Sequence, residues 1–531
     1  MAWQLEIHHI EVGQGDATLV IAREVAPLIG AAPIVRSVLI DGGHRNYANT
    51  VHTYITTPPA ALAALDVLVV THYDEDHYGG IKSLLLRLTG AAGGPIVQSP
   101  VYQNTLIYDQ GWPQARIPTG YIRAINGRSV PAAFAGNNRH RVTASVHSDN
   151  IIPPLANVDN VGPPAAPMFG FGANGPALAA QQINWPANWL VGKEIMWADQ
   201  NGNPDPTLYG GAAPAVALPV PAPAGAIAWP AGAGVPDPGT PGGPPAVTCI
   251  AANLYLLQAG GGVIGPVGGF GADPKNEKSL TFLITFNNFR YYVGGDISSV
   301  QEDGIPPGSG IKDYLNPVPP AAPPPPPPAP APPPPVPPLA GRVHAMKTSH
   351  HGAHQSTSRA FINHLLPVVA IISCGNGNSY GHPHQEVINI LEGYDANSYT
   401  MNPVPPTPAA PQLAVPNPLL VPVPPAPPPP AAPPSHSVDS YYLTTEGAAG
   451  ADQQGARGPH RAHSFLGTGA EIIAGNPPAA GGHIRLTVTE AGSGFVAGPP
   501  PGLAAGGVAN FDVTYDHPPD PAGNAQTTHH H

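Results

Sequence analysis

The chain has 531 residues, of which 75 are proline and 62 glycine, while charged residues make up only 10%. Such a composition excludes a string of several tightly packed domains, and it leaves one substantial core with large insertions. With 21 basic against 33 acidic side chains the formal charge is −12, and no basic block of the kind that grips a phosphate backbone occurs, which weighs against a tight nucleic-acid binder.

In chain order, Leu5 to Val12 mixes apolar and polar residues as a first strand does. Gly13-Gln14-Gly15-Asp16 then turns the chain, and Ala17 to Ala22 and Ser37 to Ile40 read as further strands. Turns at glycine make this a meander. Asp16 and Asp41 each follow a strand. Asp41 reads equally as a turn-capping aspartate or as a site carboxylate. Asp16 reads as a residue that orients a ligand histidine. Asn46 to Ile55 fits a helix, and the valine-rich run Leu65 to Val70 fits a buried strand.

Directly after that strand comes Thr71-His72-Tyr73-Asp74-Glu75-Asp76-His77-Tyr78-Gly79-Gly80. His72, Asp74, Asp76 and His77 are all of metal-ligand type, and a tight loop can turn them toward one point. The position at a strand's C-terminal end is where α/β proteins tend to place their chemistry. Imidazole and carboxylate together suit zinc, manganese or iron. The plainer reading is a solvated acidic turn. From Gly80 to Leu88, apolar residues at Ile81, Leu84, Leu85 and Leu88 predict a helix.

From about Ser99 to Gly271 the pattern gives way to Ala, Gly, Pro and Asn, apart from a tryptophan-bearing island (Trp185, Trp189, Trp197) and a strand at Val247 to Leu257. The tryptophans read as the small core of an insertion, and His140 and His147 as surface residues. Ser279 to Phe286 and Tyr291 to Val293 form an apolar hairpin ending at Gly294-Gly295-Asp296-Ile297. Val343 to Thr348 ends at Ser349-His350-His351-Gly352. Val368 to Ser373 leads to a loop holding Asn376, Tyr380, His382 and His384, before a helix from Gln385 to Leu391. Tyr441 to Thr444, Ile484 to Thr489 and Ala509 to Tyr515 read as closing strands. The proline-rich stretches form polyproline II and cannot pack a core; they read as tolerated surface insertions, with docking of protein partners as the alternative.

The chain accordingly divides into a first half of the core (1–98), an irregular insertion and candidate substrate cap (99–271), and a second half of the core (272–395) interrupted by a proline-rich insert at 316–338. A proline-rich insertion (396–436), strands completing the sheet (437–528) and a tag remnant (529–531) follow. Cys249 and Cys374 are too few for a disulfide framework. Met1-Ala2-Trp3 runs straight into strand-like sequence, and no apolar run reaches the length of a membrane span, so a cytoplasmic protein without a membrane partner is expected.

Metal-type residues thus recur at strand ends: Asp16, Asp41, His72 to His77, Asp296, His350-His351 and His382. These stretches resemble the metallo-β-lactamase superfamily, and within it the soluble hydrolase domain of ComEC-like competence proteins. The resemblance rests on Val12 to Ala17, Leu39 to Gly43, the His72/Asp74/Asp76/His77 loop with Gly79-Gly80, Asn276 to Leu280, Gly295 to Ile297, Lys347 to Gly352 and Tyr380 to His384, all in the family's order. It implies an α+β fold, an αββα sandwich carrying long Pro/Gly/Ala-rich insertions, with two divalent metal ions, zinc or manganese, at one sheet edge. His72 and Asp74 would hold one ion and Asp76, His77 and His382 the other, bridged by Asp296. Asp74 stands where most of the superfamily has histidine, as in the ComEC-like branch. No histidine between His77 and Asp296 completes the first site, which leaves His351 or substrate to do so.

The function implied is metal-dependent hydrolysis by a metal-bridging hydroxide, on a phosphodiester and in one form as a nuclease. Asp76, His350 and His351 are the candidate catalytic residues, with His350 or His351 donating to the transferred group or the leaving oxygen. Asn376 and Tyr380 are candidates for positioning substrate, or else ordinary turn residues. Two alternatives stand beside this: a small-molecule esterase, lactonase or phosphocholine esterase, and a non-catalytic metal-binding scaffold with proline-rich docking segments.

Overall fold

The computed structural model describes residues 2–25, 27, 32–89, 97–102, 105–109, 121, 124, 190–198, 238–239, 242–258, 261–267, 276–304, 308–317, 343–375, 380–391, 393, 438, 440–444, 461–464, 482–490, 510–516 and 526–531. Asn376, His140, His147, Trp185, Trp189 and nearly all of the proline-rich stretches lie outside them.

The first half runs β1 (Trp3–His9), β2 (Thr18–Glu24), β3 (Val35–Ile40), α1 (Ala48–Thr56), β4 (Val67–Val70), α2 (Glu75–Leu85), the short pair β5 (Leu88–Thr89) and β6 (Val97–Gln98), and β7 (Leu106–Asp109). The second half runs β8 (Ala246–Ala252), β9 (Tyr255–Leu257), β10 (Val263–Ile264), β11 (Thr281–Phe286), β12 (Phe289–Val293), α3 (Ser299–Asp303), α4 (Ile311–Leu315), β13 (Ala345–Lys347), α5 (Arg359–Leu365), β14 (Val369–Ile372) and α6 (Gln385–Leu391). It closes with β15 (Ser440–Leu443), β16 (Arg461–Ser464), β17 (Ile484–Thr489), β18 (Asp512–Asp516) and β19 (Gln526–His530).

These strands form two large mixed sheets, one in the order β19-β18-β17-β1-β2-β3-β4-β7 and the other β10-β9-β8-β11-β12-β13-β14-β15-β16, so the protein is α+β. The period of two in each strand decides what lies between and outside the sheets. Val20, Ala22, Val38, Ile40, Val67 and Val69 join Phe282, Ile284, Tyr291, Val293 and Val369 of the second sheet in one apolar cluster. Their neighbours Leu19, Ile21, Leu39, Leu68 and Val70 face the other way, onto Val51 and Ile55 of α1 and Ile81, Leu84 and Leu85 of α2. Because both faces are covered, β4 reads Val-Leu-Val-Val with no polar position.

Several elements differ from their sequence reading. The helix predicted from Gly80 begins at Glu75, so Asp76 and His77 sit on its first turn rather than in a loop. Asp74, extended at φ −92° and ψ 145°, occupies the position before the helix. Carboxylates at Glu75 and Asp76 favour that start by complementing the helix dipole. The single strand expected over Val247 to Leu257 is split at Asn253 and Leu254, both at positive φ. β7 and β8 to β10 lie within residues 99–271 and pair into the two sheets. Trp197 of that region is fully buried, 5.4 Å edge-on from Trp3. The C-terminal histidines, set aside as a tag remnant, end in β19, which pairs with β18. No helix among the described residues is long and apolar enough to cross a membrane.

Candidate metal centre

The strand ends bring their polar loops together, and backbone hydrogen bonds lace the loops to one another. Asp16 N–H donates to Asp76 O (3.2 Å), Gly42 N–H to His77 O (2.9 Å), Gly43 N–H to Asp16 O (2.7 Å) and Gly80 N–H to Gly43 O (2.7 Å). Such close approach requires glycine: a Cβ on Gly80 would lie 1.8 Å from Gly42 O, and one on Gly15 2.3 Å from Asp76 O. From the second sheet, Leu280 N–H donates to Thr71 O (3.0 Å), and Ser373 Oγ to Gly15 O (2.9 Å). Asp41, His350 and His351 all adopt left-handed backbone, at φ 60°, 50° and 54°. Non-glycine residues hold that conformation where surrounding structure compels it, and such residues cluster at functional sites. Beside the His350-His351 turn, buried Glu302 accepts from Ser349 Oγ (2.7 Å) and from Thr357 N–H (2.6 Å).

At the centre stands the buried carboxylate of Asp296. Its Oδ2 lies 3.3 Å from His77 Nε2, 3.6 Å from His72 Nε2, 3.6 Å from His351 Nε2 and 3.8 Å from His350 Nε2. Three of these rings are fixed from behind through Nδ1. His77 Nδ1 meets Asp41 Oδ2 at 2.8 Å, His351 Nδ1 meets Ser373 O at 2.9 Å, and His72 Nδ1 meets Thr71 Oγ1 at 3.2 Å and Ser279 Oγ at 3.3 Å. Their Nε2 atoms, and Asp296 Oδ1, are buried without a hydrogen-bond partner among the described residues. Buried polar atoms are almost always paired. Imidazoles anchored through one nitrogen, with the other aimed at a shared carboxylate, have the arrangement of metal ligands. The donor set fits a borderline divalent ion such as zinc or manganese.

Asp16, His77, Asp296 and His351 each offer a ligand atom within 4.8 Å of the others. Asp16 is nevertheless already engaged: Lys347 Nζ lies 2.5 Å from its Oδ2, and its Oδ1 lies 3.4 Å from His351 Nδ1. Both Asp16 oxygens are also buried without a hydrogen-bond partner among the described residues, so Asp16 is placed to ligate an ion as well as to orient His351. Asp74 Oδ2 is 3.7 Å from His72 Nε2, and Asp76 Oδ2 is 3.4 Å from His351 Nε2.

Electrostatics follow from this crowding. Burial alone would raise the Asp296 carboxyl, but His77, His351, His350 and His72 more than offset it and hold it well below the usual carboxylate range. Burial opposes the His77 imidazolium, yet Asp296, Asp41 and Asp76 carry it well above its ordinary value. His351 is pushed up to about 10, with Asp296 and Asp16 overcoming its burial. His382 goes the other way, to about 3, because it is buried beside His351 and His350. A site that draws protons onto two buried histidines is a site that favours positive charge, and a divalent ion competes for the same nitrogens.

The centre opens into a cavity of about 390 Å³ whose wall includes Asp74, Asp76, Asp296, His350, His351, Tyr380 and His382. His382 stacks on His351 with centroids 5.8 Å apart and on Tyr380 at 5.6 Å, and its Nδ1 is 3.4 Å from Gln14 Nε2. Tyr380 is 66% exposed, at the cavity's rim. Every sequence-predicted site residue within the described part is thus gathered at one place. Asp41 contacts His77 here, and it also accepts from Thr71 N–H (2.8 Å) and Thr71 Oγ1 (2.6 Å). Lys347, Ser279, Ser373 and Glu302 also shape the centre and carried no ligand-like signal of their own. Ser279 and Lys347 do fall within stretches that carry the resemblance, Asn276 to Leu280 and Lys347 to Gly352.

Among known proteins, ComE operon protein 3 of Bacillus subtilis (strain 168) is 45% identical over 51 residues, 10% of this chain. The match spans 7% of that protein's length. No protein-family profile matches the chain. The likeness is partial, and it accompanies the buried histidine–aspartate cluster of a candidate metal site.

Proposed function

We propose that the protein is a metal-dependent hydrolase with the αββα sandwich of the metallo-β-lactamase superfamily, cleaving phosphodiesters with two divalent ions. The observation that carries this reading is one buried carboxylate, Asp296, within 3.3 to 3.8 Å of four imidazole Nε2 atoms drawn from both sheets. Asp296 suits a bridging role. His72 and Asp74 would hold one ion, and Asp76, His77 and His382 the other. His351, close to both Asp76 and Asp296, joins the ligands rather than acting as an acid.

Divalent ions held there by His72, Asp74, Asp76, His77, His382 and Asp296 would supply Lewis acidity. The chain's own groups do the rest. His350 is kept below its ordinary value by burial and by His351, His72 and His77 against the pull of Asp296. It suits hydrogen-bond donation to a non-bridging oxygen. Tyr380 at the rim suits a substrate's outer part. A cavity of about 390 Å³ and a charge of −12 favour a small or single-stranded substrate over duplex DNA.

The test is hydrolysis of bis-p-nitrophenyl phosphate, a single-stranded oligonucleotide and p-nitrophenyl acetate by metal-stripped protein, with manganese or zinc restored and Asp296→Ala as control. Metal-dependent turnover of the phosphodiesters, lost in the variant, supports the proposal. Turnover of the acetate alone would move the assignment to the small esters and lactones. Silence on all three with metal retained would leave a metal-binding scaffold.

A further inference from the structure

A second cavity, of about 530 Å³, lies between α1 and the strands β17, β18 and β19, and shares no wall residue with the cavity over the metal centre. Its sheet wall contains Arg485, whose register neighbours are His8 on one side and Thr514 on the other. Arg485 Nε is buried and has no hydrogen-bond partner among the described residues. Guanidinium groups in such positions are normally matched by a carboxylate or phosphate.

The nearby carboxylates are committed elsewhere. Glu6, on β1 beside His8, is taken by Arg23 Nε at 3.2 Å and by His8 Nε2 at 3.2 Å. His8 in turn meets Tyr54 OH at 2.9 Å, so a hydrogen-bonded chain from Glu6 ends at a tyrosine in the cavity wall. Asp516 accepts from Gln526 Nε2 at 2.7 Å. On the helix side, the hydroxyl-bearing Thr50 and Thr53 face Arg485 across the cavity, and Tyr54 and Pro58 add less polar wall. A cavity of this size with one unmatched cation and a few polar donors has the makeup of a small-molecule site.

We propose that this cavity binds a small organic anion, its phosphate or carboxylate head on Arg485 and its body against Tyr54 and Pro58. It is a site separate from the metal centre, and the Arg485 guanidinium supplies the positive charge in its wall. Asp516, in the same wall, sets a counter-charge that restricts the site to ligands whose head reaches Arg485.

Phenyl phosphate and benzoate distinguish the two heads. Each is titrated by calorimetry into the full chain, into Asp296→Ala, which disables the metal centre as a competing phosphate site, and into Arg485→Gln. The proposal expects one-to-one binding of at least one probe, equal in wild type and Asp296→Ala. Arg485→Gln should weaken it about 10-fold or more, and Asp516→Asn should tighten it. Binding of phenyl phosphate alone assigns a phosphate head, and binding of both admits a carboxylate. Arg485→Lys, which keeps the charge, should retain part of the affinity and guards against loss by misfolding. No heat from either probe, binding confined to chains with Asp296, or affinity unchanged in Arg485→Gln would each overturn the proposal.

Discussion

Asp296 faces four imidazoles, and together with Asp41, Asp76 and Asp16 it raises His77 and His351 against their burial. His351 sits near 10 in the folded chain against about 6.5 when unfolded. Its contribution to stability is complete below pH ~6.5 and is lost as pH rises toward its folded value. Asp296, held low, contributes above the ordinary carboxylate range and loses that contribution only as pH falls through its folded value. Metal-stripped protein should therefore lose urea resistance from pH ~6.5 to ~10, and Asp296→Ala should flatten that decline. Urea midpoints across this range decide it, and a level wild-type curve would contradict the charge assignment. The same variant should retain at least about 10-fold less zinc or manganese after dialysis, read by elemental analysis. At this scale the sequence was partly legible. His72, Asp74, Asp76 and His77 announce themselves by local spacing. His350 and His351 are adjacent and chemically identical. Only their left-handed turn shows that His351 is buried at 1% exposure while the His350 side chain keeps 23%.

Among the elements, α2 shows how a loop-like sequence becomes a helix start. Asp74 precedes the helix, and Asp76 and His77 lie on its first turn. Gly79 and Gly80 lie inside the helix, where Gly42 and Gly43 press against that face. Replacing Gly80 with alanine places a methyl 1.8 Å from Gly42 O. Gly80→Ala should cost about 2–4 kcal/mol and loosen metal retention by displacing His77. Urea denaturation and metal content check both, and a variant with wild-type values would show that α2 can shift freely. The strands that carry long apolar runs were marked to within a few residues at each end, whereas β5, β6, β7, β10, β16 and β19, short or outside such runs, were not read. The partners of the histidines were not: Ser279 reaches His72 from 207 positions away and Ser373 reaches His351 from 22. No local spacing encodes such contacts, since they depend on how the two sheets meet.

For the whole molecule, the excess of 33 acidic over 21 basic side chains makes a prediction opposite in sign to that for most nucleic-acid enzymes. If single-stranded DNA is cleaved, its KM should hold steady or fall between about 50 and 200 mM salt, because screening relieves repulsion rather than weakening attraction. A steep rise in KM with salt would reveal a basic binding surface and count against the small-substrate reading. The two-sheet architecture has a mechanical consequence as well. His72 and His77 follow a strand of the first sheet, whereas Asp296, His351 and His382 follow strands of the second. An ion shared among them would be a rivet through the seam. It would tie together halves whose ligands lie more than two hundred positions apart, and stripping it would leave the apolar interface to hold alone. At free metal 100-fold above Kd the rivet adds about 2.7 kcal/mol. Chelator should accordingly lower Tm and speed cleavage by protease in the loops at that edge. Strand ends far from the seam's rim should be spared.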